Sequence, residues 1–171
     1  AFLDANPDEV VAIIFQDAIS AEDTEQSFID AGVDDLLYTH GGAFPTLAEM
    51  IDANQRLVVG AESSGPPPAW YHHGWDLWFD TPYDFGSVEA FTCDLNRGSP
   101  DNPLFLVNHW VSDPVSTLSN AEEANAWEVL GPRAEACRAA FGHQPNLLAV
   151  DHYGVGALFE VVEALNEEGP P

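Results

Sequence analysis

The sequence predicts an α/β fold built on a mainly parallel sheet, and two observations carry that prediction. Five short apolar runs each stop at a polar residue: Val10–Phe15 before Gln16 and Asp17, Arg56–Ala61 before Glu62, Trp75–Phe79 before Asp80, Leu104–Val107 before Asn108 and His109, and Leu147–Val150 before Asp151. Runs of this length, rich in Val, Ile, Leu and aromatic residues, suit strands buried on both faces. Stretches with helical spacing lie between most of them, and alternating β and α segments assemble parallel sheets. In such folds chemistry sits at the carboxyl ends of the strands, where these polar residues fall.

The elements follow in order. Phe2 through Glu9 reads as the tail of a helix and then a turn into the first strand. Ser20 is placed to cap a helix over 21–31, with acids in its first turn as the helix dipole favours and Gly32 to end it. Residues 34–45 form a loop containing His40. Thr46 and Glu49 have the spacing of a capping box for a short helix running to about Ala53. After the second strand, Ser63 to Pro68 makes a stiff polar loop, and residues 70–91 are dense in aromatics that serve core, loop packing or a ring-binding pocket. Residues 92–103 form a polar turn region. Helix is expected over 121–130 and 133–140 with a break at Gly131-Pro132, and again over 155–165 after the fifth strand.

Composition narrows the function classes. A chain of 171 residues with 46% hydrophobic residues is long enough for one domain with a real core. No apolar stretch approaches the roughly 20 residues that span a bilayer. No basic region followed by an apolar one opens the chain, as would also hold for a processed protein. Acids outnumber bases 29 to 4, the bases are all Arg, and the net charge is -25. That balance opposes binding to nucleic acid and to anionic membranes. It suits a solvated acidic surface adapted to high salt, where self-repulsion is screened. Cys93 and Cys137 lie outside any CxxC pair, so they are either two buried thiols or a disulfide. The latter would close a loop of about 45 residues, contribute roughly 3–4 kcal/mol, and fit an extracellular or extracytoplasmic protein.

Four segments, in order, resemble the phosphatidylinositol-specific phospholipase C X-domain-like family. They are Asn6 through Asp17, Phe44 through Ile51 with Asn54 through Val59, Asp80-Thr81-Pro82-Tyr83, and Asn146 through Tyr153. The resemblance implies a distorted (βα)8 TIM-type barrel of which this chain, taken as a single domain over 1–171, holds the C-terminal five βα units. It also implies phosphodiester cleavage by a general base and a general acid, both histidines in the N-terminal part of the family barrel. One activates the inositol 2-hydroxyl for attack on phosphorus, and the other protonates the leaving diacylglycerol oxygen. Neither motif matches a histidine of this chain, so the pair is expected from an upstream segment.

By the same resemblance, Asp151 is the acid that orients the catalytic base. Asp80 and Tyr83 contact the ligand, carboxylate to hydroxyl and ring against ring. Asp17, with Gln16 beside it, contacts inositol in metal-free members or a calcium ion in metal-dependent ones. Glu62 stands where some members place a basic residue for the phosphate, so a strongly anionic substrate would need a bridging cation. His109 ends a strand inside the expected cleft and joins the substrate-binding candidates. His72 and His73 near Asp76 hint at a metal site, although adjacent side chains tend to point apart.

Each candidate has a plain structural alternative. Asp151 can cap the next helix, Asp80 and Tyr83 can be turn residues around Pro82, Asp17 a solvated loop acid and His109 a satisfied polar residue. Two other functions stay open: a non-catalytic ligand-binding module derived from the barrel, and a metal-assisted glycerophosphodiester hydrolase. Five strands of an eight-strand barrel leave two edges and an apolar lining exposed. The expected partners are therefore a phosphodiester or phospholipid headgroup, and either the upstream half of the barrel or a second copy.

Overall fold

The structure is a computed structural model and describes residues 2–112 and 115–169. Six strands form two three-stranded sheets, each wholly parallel. The chain divides into two compact units, Ala1–Leu77 and Trp78–Pro171, each with one sheet. The mixed α/β class and the parallel pairing agree with the sequence.

In the first unit, α1 (Phe2–Ala5) leads to β1 (Val11–Phe15), α2 (Ala21–Asp30), α3 (Leu47–Asp52), β2 (Leu57–Ala61) and β3 (Tyr71–His73). The order across the sheet is β1-β2-β3. Leu57, Val59, Ala61 and Tyr71 form one apolar cluster with Val11, Ile13 and Phe15, and α2 packs Ala21 and Phe28 against it. Those residues alternate along the strands, as one face of a sheet requires. Both caps form as expected. The Ser20 hydroxyl accepts from the Asp23 N–H, and Thr46 and Glu49 exchange both bonds of the capping box. Arg56, which opens the second apolar run, is buried because its Nη1 donates to the carbonyls of Leu3 and Asn6 at 3.0 and 3.2 Å.

In the second unit, β4 (Trp78–Asp80), β5 (Leu104–His109), α4 (Leu118–Ala124), α5 (Trp127–Phe141), β6 (Leu147–Val150) and α6 (Leu158–Glu168) follow. β5 is central, with β4 and β6 beside it. Phe79 and Phe105 stack at 4.5 Å with planes 3° apart and pack with Val107 and Cys137. Leu130 and Ala134 of α5 meet Val161 and Leu165 of α6 over Leu148 and Val150. Burying each such Phe, Leu or Val stabilises the unit by about 1.5–3 kcal/mol.

Several expectations need correction. Among the described residues there are six strands, not five. Tyr71–His73 is a strand of three residues, too short to show a period, made by pairing with Val59, Gly60 and Ala61. The run from Trp75 splits, so that Gly74–Asp76 is a 3-10 turn and the strand starts at Trp78 and includes Asp80. Likewise Asn108 and His109 lie inside β5. Helix α5 runs straight through Gly131-Pro132, and the break falls at Asn125-Ala126. Pro132 deprives the Glu128 carbonyl of its helical donor, but both residues are exposed, so water replaces the bond. The last helix starts at Leu158, three residues later than expected. Cys93 and Cys137 are joined in a disulfide, their Cα atoms 5.0 Å apart. Among the described residues no helix is long and apolar enough to cross a membrane.

Candidate functional site

All the strands in each sheet run the same way, so their carboxyl ends share one edge of that sheet. In the first unit that edge carries Gln16, Asp17 and Glu62. The Glu62 N–H donates to the Phe15 carbonyl at 3.1 Å, carrying the parallel ladder one step past β2. The Asp17 carboxylate accepts the Ser63 N–H at 3.0 Å and the Ser64 hydroxyl. Those bonds, the Ser64 hydroxyl foremost, hold the Asp17 carboxyl below its usual range. The structure thus brings Asp17 and Glu62 to neighbouring strand ends, while Gln16 is exposed beside them. Sequence reasoning offered Asp17 to a calcium ion; here its two oxygens accept from Ser63 and Ser64. Among the described residues no three His, Cys, Asp or Glu side chains gather to hold a metal.

The histidines of the first unit are engaged locally. His72 is buried and its Nε2 lies 3.1 Å from the Tyr38 carbonyl, a bond it makes as donor. Burial lowers its pKa, which keeps it neutral. His73 reaches Asp76 at 3.3 Å, and His40 pairs through Nδ1 with the Tyr38 hydroxyl at 2.9 Å. His72 and His73 therefore point to different partners.

In the second unit the strand ends carry a continuous polar network. Asp80 is fully buried. Its Oδ1 accepts the Arg97 N–H at 2.9 Å and Asn96 Nδ2 at 3.2 Å, and its Oδ2 accepts Arg97 Nε at 3.0 Å, Arg97 Nη2 and Asn108 Nδ2 at 2.9 Å. The Arg97 guanidinium in turn lies 4.7 Å from the centre of the Tyr83 ring, a favourable cation–π distance. Tyr83 is 43% exposed and its ring runs nearly parallel to Trp110, which follows β5 directly, with centroids 6.4 Å apart. Ser112 fastens the two loops: its N–H donates to the Phe85 carbonyl at 2.8 Å and its hydroxyl to the Tyr83 carbonyl at 3.0 Å.

Asn108 continues the network on the buried side. Its Nδ2 also donates to the Thr81 carbonyl at 2.6 Å, its N–H donates to the Thr81 hydroxyl at 3.0 Å, and its own carbonyl accepts Arg133 Nη1 at 2.7 Å. His109 is fully buried, with Nε2 2.7 Å from the Ala124 carbonyl and Nδ1 3.0 Å from Arg133 Nη1. Its Nε2 therefore carries the proton and Nδ1 accepts. Burial lowers its pKa to about 4, and nearby Arg133 adds to the effect. Asp151 is partly buried just past β6, and its carbonyl accepts Asn125 Nδ2 at 2.9 Å. It does not cap α6, whose N-cap is Ala157.

Sequence reasoning singled out Asp80, Tyr83 and His109 but missed Arg97, Trp110 and Arg133. A signal was present: only four cations exist in the chain, and two of them meet here.

Compared with known proteins, the chain matches the family model described as PI-PLC X 1 over residues 1–166. It is 23% identical over 186 aligned residues to PI-PLC X domain-containing protein 1 of Arthroderma benhamiae, covering 96% of this chain and 61% of that protein. It is 26% identical over 184 residues to a PI-PLC X domain-containing protein of Arabidopsis thaliana, covering 97% and 42%. A third relative, named an uncharacterized secreted protein, also from Arthroderma benhamiae, is 24% identical over 194 residues, covering 94% and 43%. The chain thus spans 42% to 61% of the length of these relatives. No solved structure matches it.

Proposed function

Because the chain belongs to the PI-PLC X domain family, we propose that it forms the substrate-holding portion of a phospholipase C-like phosphodiesterase. In this reading it is the C-terminal part of a (βα)8 barrel. The acid and base histidines come from sequence outside these 171 residues. The observation that carries the reading is the set of polar residues at the carboxyl ends of parallel strands: Asp17, Glu62 and His73 in one sheet, Asp80, His109 and Asp151 in the other. Within the second unit, Tyr83 meets the ring of the headgroup and Asp151 fixes the tautomer of the base. The base takes the proton of the attacking hydroxyl, that oxygen bonds to phosphorus, and the acid protonates the leaving alkoxide. The disulfide, together with a relative named as secreted, supports action outside the cytoplasm.

A second reading has an observation of its own. His40, His72, His73, His109 and His143 each bond to a neighbouring group of the chain. A binding module without catalysis would look the same. The test is phosphorus NMR on the protein expressed from its whole reading frame with phosphatidylinositol in mixed micelles. The enzyme reading expects a new phosphorus product, and a loss of about 10²-fold or more with Asp151→Asn. Binding of the substrate with no product would leave the second reading standing and the first rejected.

A further inference from the structure

The junction between α4 and α5, at Ala124 to Ala126, meets the ends of two strands of its sheet. The Ala124 carbonyl accepts His109 Nε2 at the end of β5 at 2.7 Å. The next residue, Asn125, reaches the end of β6. Its Nδ2 donates to the Asp151 carbonyl at 2.9 Å and to the Val155 carbonyl at 3.1 Å. Its own carbonyl accepts the Ala157 N–H at 2.8 Å. One side chain and one carbonyl therefore tie down the whole segment from the end of β6 to the start of α6.

The segment is shaped around that residue. Asn125 is fully buried, yet its Oδ1 has no partner among the described residues. Turning the amide over would set that oxygen against two carbonyls, so the orientation is fixed. An unpaired buried acceptor costs stability that an apolar side chain would not. The amide is thus present for its two donors. Gly156 has φ of +81°, and a Cβ there would lie 2.4 Å from the Asn125 carbonyl oxygen and 2.5 Å from its Cβ. Only glycine lets the segment close on Asn125. His152 has φ of +51°, a left-handed conformation that a residue with a side chain adopts at a cost. The two carbonyls that Asn125 holds, Asp151 and Val155, lie on either side of it and keep the turn in place.

We infer that Asn125 is a positioning residue: it fixes the backbone of Asp151, and so the direction in which that carboxylate meets the catalytic base. The inference rests on the phosphodiesterase reading for the role of Asp151. Val150 pairs with His109 in the parallel ladder, so Asp151 is held from β5 on one side and from the end of α4 on the other. A carboxylate that orients a base has to be placed to within about half an ångström. Asn125 supplies that placement and acts only through Asp151.

The test is a double-mutant cycle in the protein expressed from its whole reading frame, with phosphatidylinositol in mixed micelles. Asn125→Ala should lower kcat about tenfold or more and leave KM within about twofold. The acid limb of its kcat profile should move to lower pH, because a base that loses its carboxylate partner is less basic. In the Asp151→Asn background, Asn125→Ala should cost nothing further. Gly156→Ala, which pushes the segment off Asn125, should give the same split between kcat and KM. Leu165→Ala, a core truncation in α6, should lower the melting temperature and leave kcat and the pH profile unmoved, which separates placement from stability. Amide hydrogen exchange over residues 152–157 should be about tenfold or more faster in Asn125→Ala. If that variant fails to fold, Asn125→Ser, which keeps one donor on a shorter arm, takes its place. An undiminished kcat in Asn125→Ala, or a loss that adds in full to that of Asp151→Asn, overturns the inference and leaves the phosphodiesterase reading standing. A wild type that cleaves nothing sinks that reading and the catalytic role together, and faster exchange in Asn125→Ala would then leave Asn125 a structural clamp alone.

Discussion

Arg133 donates from Nη1 to His109 Nδ1 at 3.0 Å, and this contact fixes what the histidine can do. With Nε2 already donating to the Ala124 carbonyl, neither ring nitrogen can both lose and gain a proton without breaking a buried bond. Protonation at Nδ1 would set an imidazolium against a guanidinium. His109 sits at a strand end of the candidate site, yet it is built as a structural acceptor that helps to hold Arg133.

The pH dependence of stability follows from that arrangement. The groups facing His109 are the Arg133 guanidinium from α5, the Ala124 carbonyl from α4 and the Phe91 ring. Its folded pKa of about 4 lies below the ordinary 6.5, so the unfolded chain binds the proton first as pH falls. Its contribution is whole above about pH 6.5 and is lost progressively down to about 4, on the order of 3 kcal/mol in all. Burial lowers the pKa of His72 as well, with the same sign. Urea unfolding at a series of pH values should show stability falling from neutral pH to pH 4. Histidine NMR should find the His109 ring neutral, with its proton on Nε2, at pH 6. A His109 that titrates near 6.5 would contradict the structure.

Gly98 follows Arg97 with φ of +75°, and a Cβ there would lie 2.1 Å from the Trp78 carbonyl oxygen. Only glycine turns the chain so closely against β4. Gly98→Ala should therefore cost more than about 2 kcal/mol, by strain in the turn and by displacement of β4. Denaturant titration checks this, and an unchanged midpoint of unfolding would count against the described turn.

The disulfide joins the loop before Arg97 to the buried face of α5, with Cys137 fully buried among Phe79, Phe105 and Val107. It closes a long loop in the unfolded chain, so replacing both cysteines by serine should lose roughly 3–4 kcal/mol. Reduction of the wild type should lower the melting temperature comparably. Equal melting with and without reductant would show that the bridge does not form in solution.

What could be read in the sequence was local. Ser20, Thr46 and Glu49 announced their helices because a cap is decided within four residues. The apolar runs marked the longer strands because burial on both faces leaves a continuous pattern. Tyr71–His73 escaped because its pairing with β2, not its composition, makes it a strand. Pro132 misled because its tolerance depends on the exposure of Glu128, which no pattern encodes. The strand-end network was the least legible. Asp80 meets Arg97 across 17 positions, and Asn108 meets Arg133 across 25. Such contacts appear only once parallel strands have set the register. The sequence left the cysteines open as two thiols or one bridge, because spacing says nothing of their separation in space.

Asn108 offers the sharpest test of the network. Its Nδ2 donates to both Asp80 Oδ2 and the Thr81 carbonyl. Asn108→Asp keeps the shape and replaces that donor with an acceptor. At neutral pH the variant sets two buried carboxylates against each other, and should lose about 3 kcal/mol or more. One carboxylate can relieve the clash by taking a proton, which restores a donor between the two side chains. Acid should therefore narrow the gap between Asn108→Asp and the wild type, while the wild type itself weakens through His109. Urea midpoints for the two proteins at pH 7.5 and pH 5 measure this directly. A gap that stays constant or widens at pH 5 would mean that the Asn108 amide does not bridge Asp80 and Thr81 as described.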